Sequence, residues 1–243
     1  MQSTVARLAI GEKANPLKSG AMPEIADPHA PAPATLAELG PVAQLRAGRL
    51  ARRLPQLMVG LVLYGASLAM MVRGDLGLAP WDVLHSGLIR HVPLTLGQAV
   101  VVTSFVVLVL WAPLRETPGL ATIANAVVVG LSADATLLLL DRPDALAWRL
   151  ALMLGGVLLC AFAGAMYIGA QLGRGPRDGL MTGLSRRTGL SLRLVRTGLE
   201  ITVVLIGLAL GGVLGLATVL YALAIGPATQ AFMLLWLVEL RRP

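Results

Sequence analysis

Two carboxylates in this chain sit in matched surroundings. Asp82 lies in GLAPWDVL and Asp178 in GRGPRDGL, each five residues after a Gly and two after a Pro. Pro at the first turn of a helix loses an N–H that would have no partner anyway, and an Asp two residues on faces the positive end of the helix dipole. A carboxylate placed there can cap its own helix and pair with a loop Arg; in a dry interior it can instead carry a proton or a cation. Glu200 is a third candidate: it follows Arg196 by four residues, so one helix face carries both charges. Glu200 is open to two readings, an acid neutralised by a snorkelling Arg196 or a step in an ion pathway. Asn125 and Asp134 are polar interruptions of another apolar stretch and suit either interhelical hydrogen bonding or the lining of a cavity.

Other chemistry finds little footing. Asp82, His85 and Ser86 form the one Ser/His/Asp grouping, but they fall within five residues on one short helix, where the side chains of His85 and Ser86 diverge by about 100°. GxGxxG, GxSxG, HExxH and phosphate-loop strings are absent, and with one cysteine, Cys160, and three histidines no metal centre, disulfide or cofactor site is expected. The chain reads as no enzyme. Its net charge of +7 comes from Arg at the ends of apolar stretches rather than from a basic face, which argues against a nucleic-acid partner.

The elements that position these groups belong in lipid. Hydrophobic residues make up 56% of the chain and charged ones 14%, with mean hydropathy +0.76. The apolar residues fall into stretches of about 18 to 24, the length a helix needs to cross about 30 Å of hydrocarbon. Six spans are expected, at about 54–72, 94–114, 119–140, 147–170, 191–212 and 214–237. Residues 1–45, rich in Ala and Pro, read as a disordered cytoplasmic tail. The Arg cluster 46, 49, 52 and 53, the central Arg174, Arg177, Arg186 and Arg187, and the terminal Arg241 and Arg242 fall on one side of a six-span topology, which places both termini in the cytoplasm.

Sliding the sequence by 96 residues lays 77–84 on 173–180 and GLAT at 119–122 on GLAT at 215–218, with about a third of positions identical over 76–140. The matched pairs Gly77/Gly173, Pro80/Pro176, Asp82/Asp178, Gly87/Gly183, Arg90/Arg186 and Gly130/Gly226 carry the weight, because matched Leu or Ala means little here. The expected fold is an all-α membrane protein of two three-span repeats, 46–144 and 145–243. Each repeat adds one short segment, 76–92 or 172–188. A helix from Pro80 to Val92 extends only about 20 Å, so it is re-entrant or interfacial, and an odd number of crossings inverts the second repeat. Running on from Asp82, Ser86 and Arg90 share a face, as do Thr182 and Arg186 after Asp178.

From about 55 to 240, the paired G-x-x-P-x-D motifs, GRGPRDGLMTGLSRRTGLSLRLVRTGLE and GLATVLYALAIGP resemble the YczE/YitT-type bacterial integral membrane proteins. The resemblance implies a small multi-pass inner-membrane protein and brings no established binding or catalytic residues. The expected function is a secondary transporter or facilitator of a small solute or ion; the alternative is a non-transporting scaffold or regulatory partner. Its small-residue faces would suit homo-oligomer contacts in the bilayer.

Overall fold

The computed structural model describes residues 39–240. Among these the elements are nine helices: α1 Pro41–Arg46, α2 Leu50–Gly74, α3 Pro80–Leu88, α4 Leu96–Leu114, α5 Leu120–Leu139, α6 Leu146–Gly169, α7 Pro176–Thr188, α8 Leu192–Ala209 and α9 Leu216–Trp236. Five of them, α2, α4, α5, α6 and α9, are long and apolar enough to cross a membrane. Helix α8 covers most of the expected fifth span, but its 18 residues include Arg193, Arg196 and Glu200, which interrupt the apolar run. Helix α1 lies partly inside the stretch read from sequence as a tail, whose residues 1–38 fall outside the described residues. Helices α6, α7, α8 and α9 each begin 96 residues after α2, α3, α4 and α5, respectively.

Helices α2 and α6 run antiparallel: Gly60 packs on the backbone of Ala163 and Tyr167, Gly156 on Ser67 and Met71, and Gly74 on Arg149 and Met153. A Cβ at any of the three glycines would meet a neighbour at 3.0 Å or closer, so small residues set the interaxial distance. Gly65 seats α5 on α2, and Gly169 seats the end of α9 on α6. These four helices enclose the larger core, which includes Leu57, Leu61, Leu68, Val129, Val157 and Ile225. A smaller core joins Trp81 of α3, Val107 and Trp111 of α4, Leu180 of α7 and Val203 of α8. The short helices are exchanged: α3 lies on α8, and α7 lies on α4.

Two arginines tie the helix ends. Arg53 donates from Nε to Ala170 O at 2.7 Å and from Nη2 to Gln171 O at 2.6 Å. Ninety-six residues on, Arg149 donates from Nε to Gly74 O at 3.0 Å and from Nη2 to Asp75 O at 2.5 Å. Each guanidinium thus satisfies the last carbonyls of the facing helix, which have no partner within it. Arg53 is fully buried, so it is a structural clamp rather than one of the water-facing charges of the cluster it was counted in. The loops that follow match as well: Ala217 N–H donates to Leu76 O and Ala121 N–H to Leu172 O, both at 2.9 Å. Gly77 (φ 109°) and Gly173 (φ 129°) cross Gly215 and Gly119 at these points, in a backbone conformation that L residues rarely adopt.

Candidate functional site

The first turns of α3 and α7 meet inside the protein. Both helices start at Pro after an extended N-cap, Ala79 or Gly175, which offers no side-chain cap. The next residues, Trp81 and Arg177, face each other, with the guanidinium carbon 5.2 Å from the indole centroid, within the range of a cation–π contact. Asp82 is 1% exposed, and its Oδ1 lies 2.9 Å from His85 Nδ1. Asp178 Oδ2 accepts from Tyr167 Oη at 2.5 Å. Tyr64 meets Tyr167 edge to face at 6.0 Å, and Cys160 Sγ reaches Tyr221 Oη at 3.7 Å. Arg177 lies within electrostatic range of Asp82, Tyr64 and Tyr221. All three tyrosines and the one cysteine of the chain therefore converge here. Tyrosine in a membrane protein ordinarily gathers at the lipid–water interface, so this placement marks a polar centre within an apolar fold.

The other sequence-derived candidates divide between this centre and the scaffold. Asn125 borders the centre, its Nδ2 3.5 Å from a Cβ built at Gly175. Arg196 Nε donates to Glu200 Oε1 at 2.9 Å on α8, and Arg196 lies within electrostatic range of Asp178. Asp134 works elsewhere: Oδ1 accepts from Gly97 N–H at 2.8 Å and Oδ2 from Thr95 Oγ1 at 2.5 Å, so it braces the start of α4 from α5. Arg186 pairs with Glu116 at 3.0 Å, and Arg90 is exposed beside Gly211. Gly87 and Gly183 are packing positions, the first against Gly207 and Gly212, the second against Leu114 and Glu116.

The stripe Asp82–Ser86–Arg90 does not form one polar face. Asp82 turns to His85, three residues on, while Ser86 Oγ donates to Val83 O at 2.9 Å and accepts from Val213 N–H at 3.1 Å. Sequence reasoning considered His85 only as part of a triad that it rejected and Arg177 only as a topology signal, and it missed Trp81 and the tyrosines as site residues. Matching the two motifs residue by residue keeps identities, and Trp81/Arg177 and His85/Met181 are mismatches. The available signal was that all three tyrosines fall within apolar spans.

Two cavities are lined by residues outside this centre. The larger, about 740 Å³, is lined by Gln44 of α1 and by Gln171, Arg174, Thr182, Ser185 and Leu192, among others. The smaller, about 330 Å³, is lined by Asp75, Leu78, Ser86, Ile89 and Leu96, among others. Each of these five residues lies 96 positions before one of the last five named for the larger cavity.

A family described as "Family of unknown function (DUF6198)" matches residues 51–234. An uncharacterised protein of Haemophilus influenzae is 40% identical over 177 residues, covering 73% of this chain and 81% of its own length. An uncharacterised membrane protein of Bacillus subtilis, YczE, is 30% identical over 169 residues, covering 69% of this chain and 79% of its own length. No solved structure matches.

Proposed function

This multi-pass membrane protein belongs to that family of YczE-type membrane proteins, and we propose that it is a secondary transporter or facilitator of a small solute in the bacterial inner membrane. In this reading it is built from two inverted repeats, α2–α5 and α6–α9, with α8 as the sixth span. Several observations support the repeat. The helices begin at one constant offset, α2 and α6 are antiparallel, and the Arg53 and Arg149 clamps donate to equivalent carbonyls. Inverted repeats whose interrupted segments meet at the midplane are a recurrent design for alternating access.

The observation that carries the transport reading is the stacking of Trp81 on Arg177. These two residues hold equivalent positions in the two halves, and equivalent positions touch only on the axis that relates them. On this reading the contact lies on that axis, and the same axis relates two cavities lined by equivalent residues. One cavity is more than twice the volume of the other, as in a carrier resting open toward one face. The charges on α8 are tolerable in a span because Arg196 and Glu200 neutralise each other.

Thiol accessibility tests this reading. In a Cys160→Ala background, Thr182→Cys is expected to label from the face where α1 lies and Ser86→Cys from the opposite face. A bulky adduct at either position should slow labelling of the other at least fivefold. Labelling of both from one face, or labelling that is independent at the two sites, refutes alternating access and favours the scaffold alternative.

A further inference from the structure

The polar centre carries an unbalanced charge. Three acids lie in or beside it, Asp82, Asp178 and Glu200, with two bases: Arg177, whose guanidinium stacks on Trp81 next to Asp82, and Arg196, whose Nε donates to Glu200 Oε1 at 2.9 Å. With all five ionised and His85 neutral, three negative charges against two positive leave one negative charge. A net charge held in an apolar interior costs several kcal/mol unless something neutralises it. His85 is the remaining member of the centre that can supply a positive charge.

The geometry of His85 suits that task. A carboxylate can only accept, so the Asp82 contact at 2.9 Å places the ring hydrogen on Nδ1 and the lone pair on Nε2. Nε2 is buried, in a residue 1% exposed, and has no hydrogen-bond partner. Not every helix around α3 contributes to the balance. Helix α7 brings Arg177 and Asp178, α8 brings Arg196 and Glu200 with Arg193 exposed, and α4 carries no charge. Tyr64, Cys160, Tyr167 and Tyr221 face the centre from α2, α6 and α9, while Arg90 and His91 are exposed beyond the far end of α3.

We infer that Asp82 and His85 form the protein's proton-binding site: one proton taken from water onto His85 Nε2 makes the pair Asp⁻–His⁺ and brings the centre to zero net charge. Given the transport reading above, on which this step rests, the proton is the coupling ion. Nothing is oxidised and no covalent bond other than N–H forms. Asp82 is a positioning residue, because it fixes the tautomer that leaves Nε2 basic. The second half cannot do the same, since Met181 stands at the position equivalent to His85. The site is therefore single and the expected stoichiometry is one proton per chain.

The test uses the full chain with His29→Gln and His91→Gln, selectively ¹⁵N-labelled at histidine, in nanodiscs. Nε2 should titrate as a single site. Asp178→Asn removes a negative charge and should lower that midpoint by about one pH unit; Arg177→Gln removes a positive charge and should raise it by a similar amount. Midpoints unmoved by both variants, or an Nε2 that never titrates, overturn the proton site. In proteoliposomes on a solid-supported membrane, a pH jump should give a transient current that His85→Met reduces at least tenfold. Should the titration shift as stated while the current is absent, the proton site stands and the transport reading falls. Current that persists undiminished in His85→Met overturns the site and leaves transport standing.

Discussion

Replacing Arg53 by Met should destabilise the fold far more than the equivalent replacement of Arg149, although both side chains hold the last two carbonyls of a facing helix. Arg53 is fully buried and donates to Ala170 O, Gln171 O, Gln44 O and Gly48 O between 2.6 and 3.1 Å. Hydrogen bonds to a charged group contribute about 1.5–3 kcal/mol each, so the four amount to a gross contribution of about 6–12 kcal/mol. Removing the guanidinium also removes its desolvation cost of several kcal/mol, and Met fills the volume of the aliphatic stem. The net loss is about 3 kcal/mol. Arg149 holds two carbonyls and Asp75 Oδ2, with its side chain 20% exposed. Water replaces those bonds on mutation, and the loss is about 1 kcal/mol. The difference of about 2 kcal/mol corresponds to about 30-fold in the opening equilibrium. Cys160 supplies the assay: it is the one thiol of the chain and is fully buried. Its modification by a fluorogenic maleimide in detergent therefore reports opening of the core. Equal rates for the two variants, or a change under threefold for Arg53→Met, would show that burial does not govern the strength of these clamps.

Two further predictions concern the α4–α5 seam. Gly97→Leu should push these helices apart and speed Cys160 modification at least fivefold, because a Cβ at Gly97 would lie 2.1 Å from Gly130 O; Gly198→Leu, at an open position on α8, is the control expected to change little. Asp134→Asn keeps one acceptor for the Gly97 N–H and loses the charged acceptor for Thr95, which should destabilise the fold by about 1 kcal/mol. In the same modification assay, an unchanged rate for Asp134→Asn would place the strength of that brace elsewhere.

Much of the architecture was legible because it is written in residues that matter to the backbone. The Pro80 and Pro176 starts, the Gly77 and Gly173 turns and the apolar run lengths depend on local chemistry, and the helices begin within a few residues of the expected positions. The centre was harder to read because its residues act across the fold. Arg177 looks like one more cytoplasmic-loop arginine until α7 is seen to start inside the protein. Arg53 looks like a positive-inside charge until its four carbonyl partners appear. Helix α8 shows the same limit from the other side: three charges disqualify it as an apolar span, and only the Arg196–Glu200 pair indicates how those charges are accommodated.

The departures from equivalence indicate which part of the fold can move. Gly97 and Gly130 lock α4 to α5, and Asp134 braces the crossing. The residues 96 positions later are Arg193, Gly226 and Gln230; Gly226 has no neighbour around its Cβ position, and Arg193 is exposed. The first half therefore holds its helices at backbone distance, while the second lacks that seam. Helix α8 is instead held by α3, through Gly207 and Gly212 against Val83 and Leu84. A displacement of α3 would thus carry α8 with it while α4 stays on α5. Because α3 also carries Trp81, Asp82 and His85, the proposed proton site and the packing against α8 share one helix.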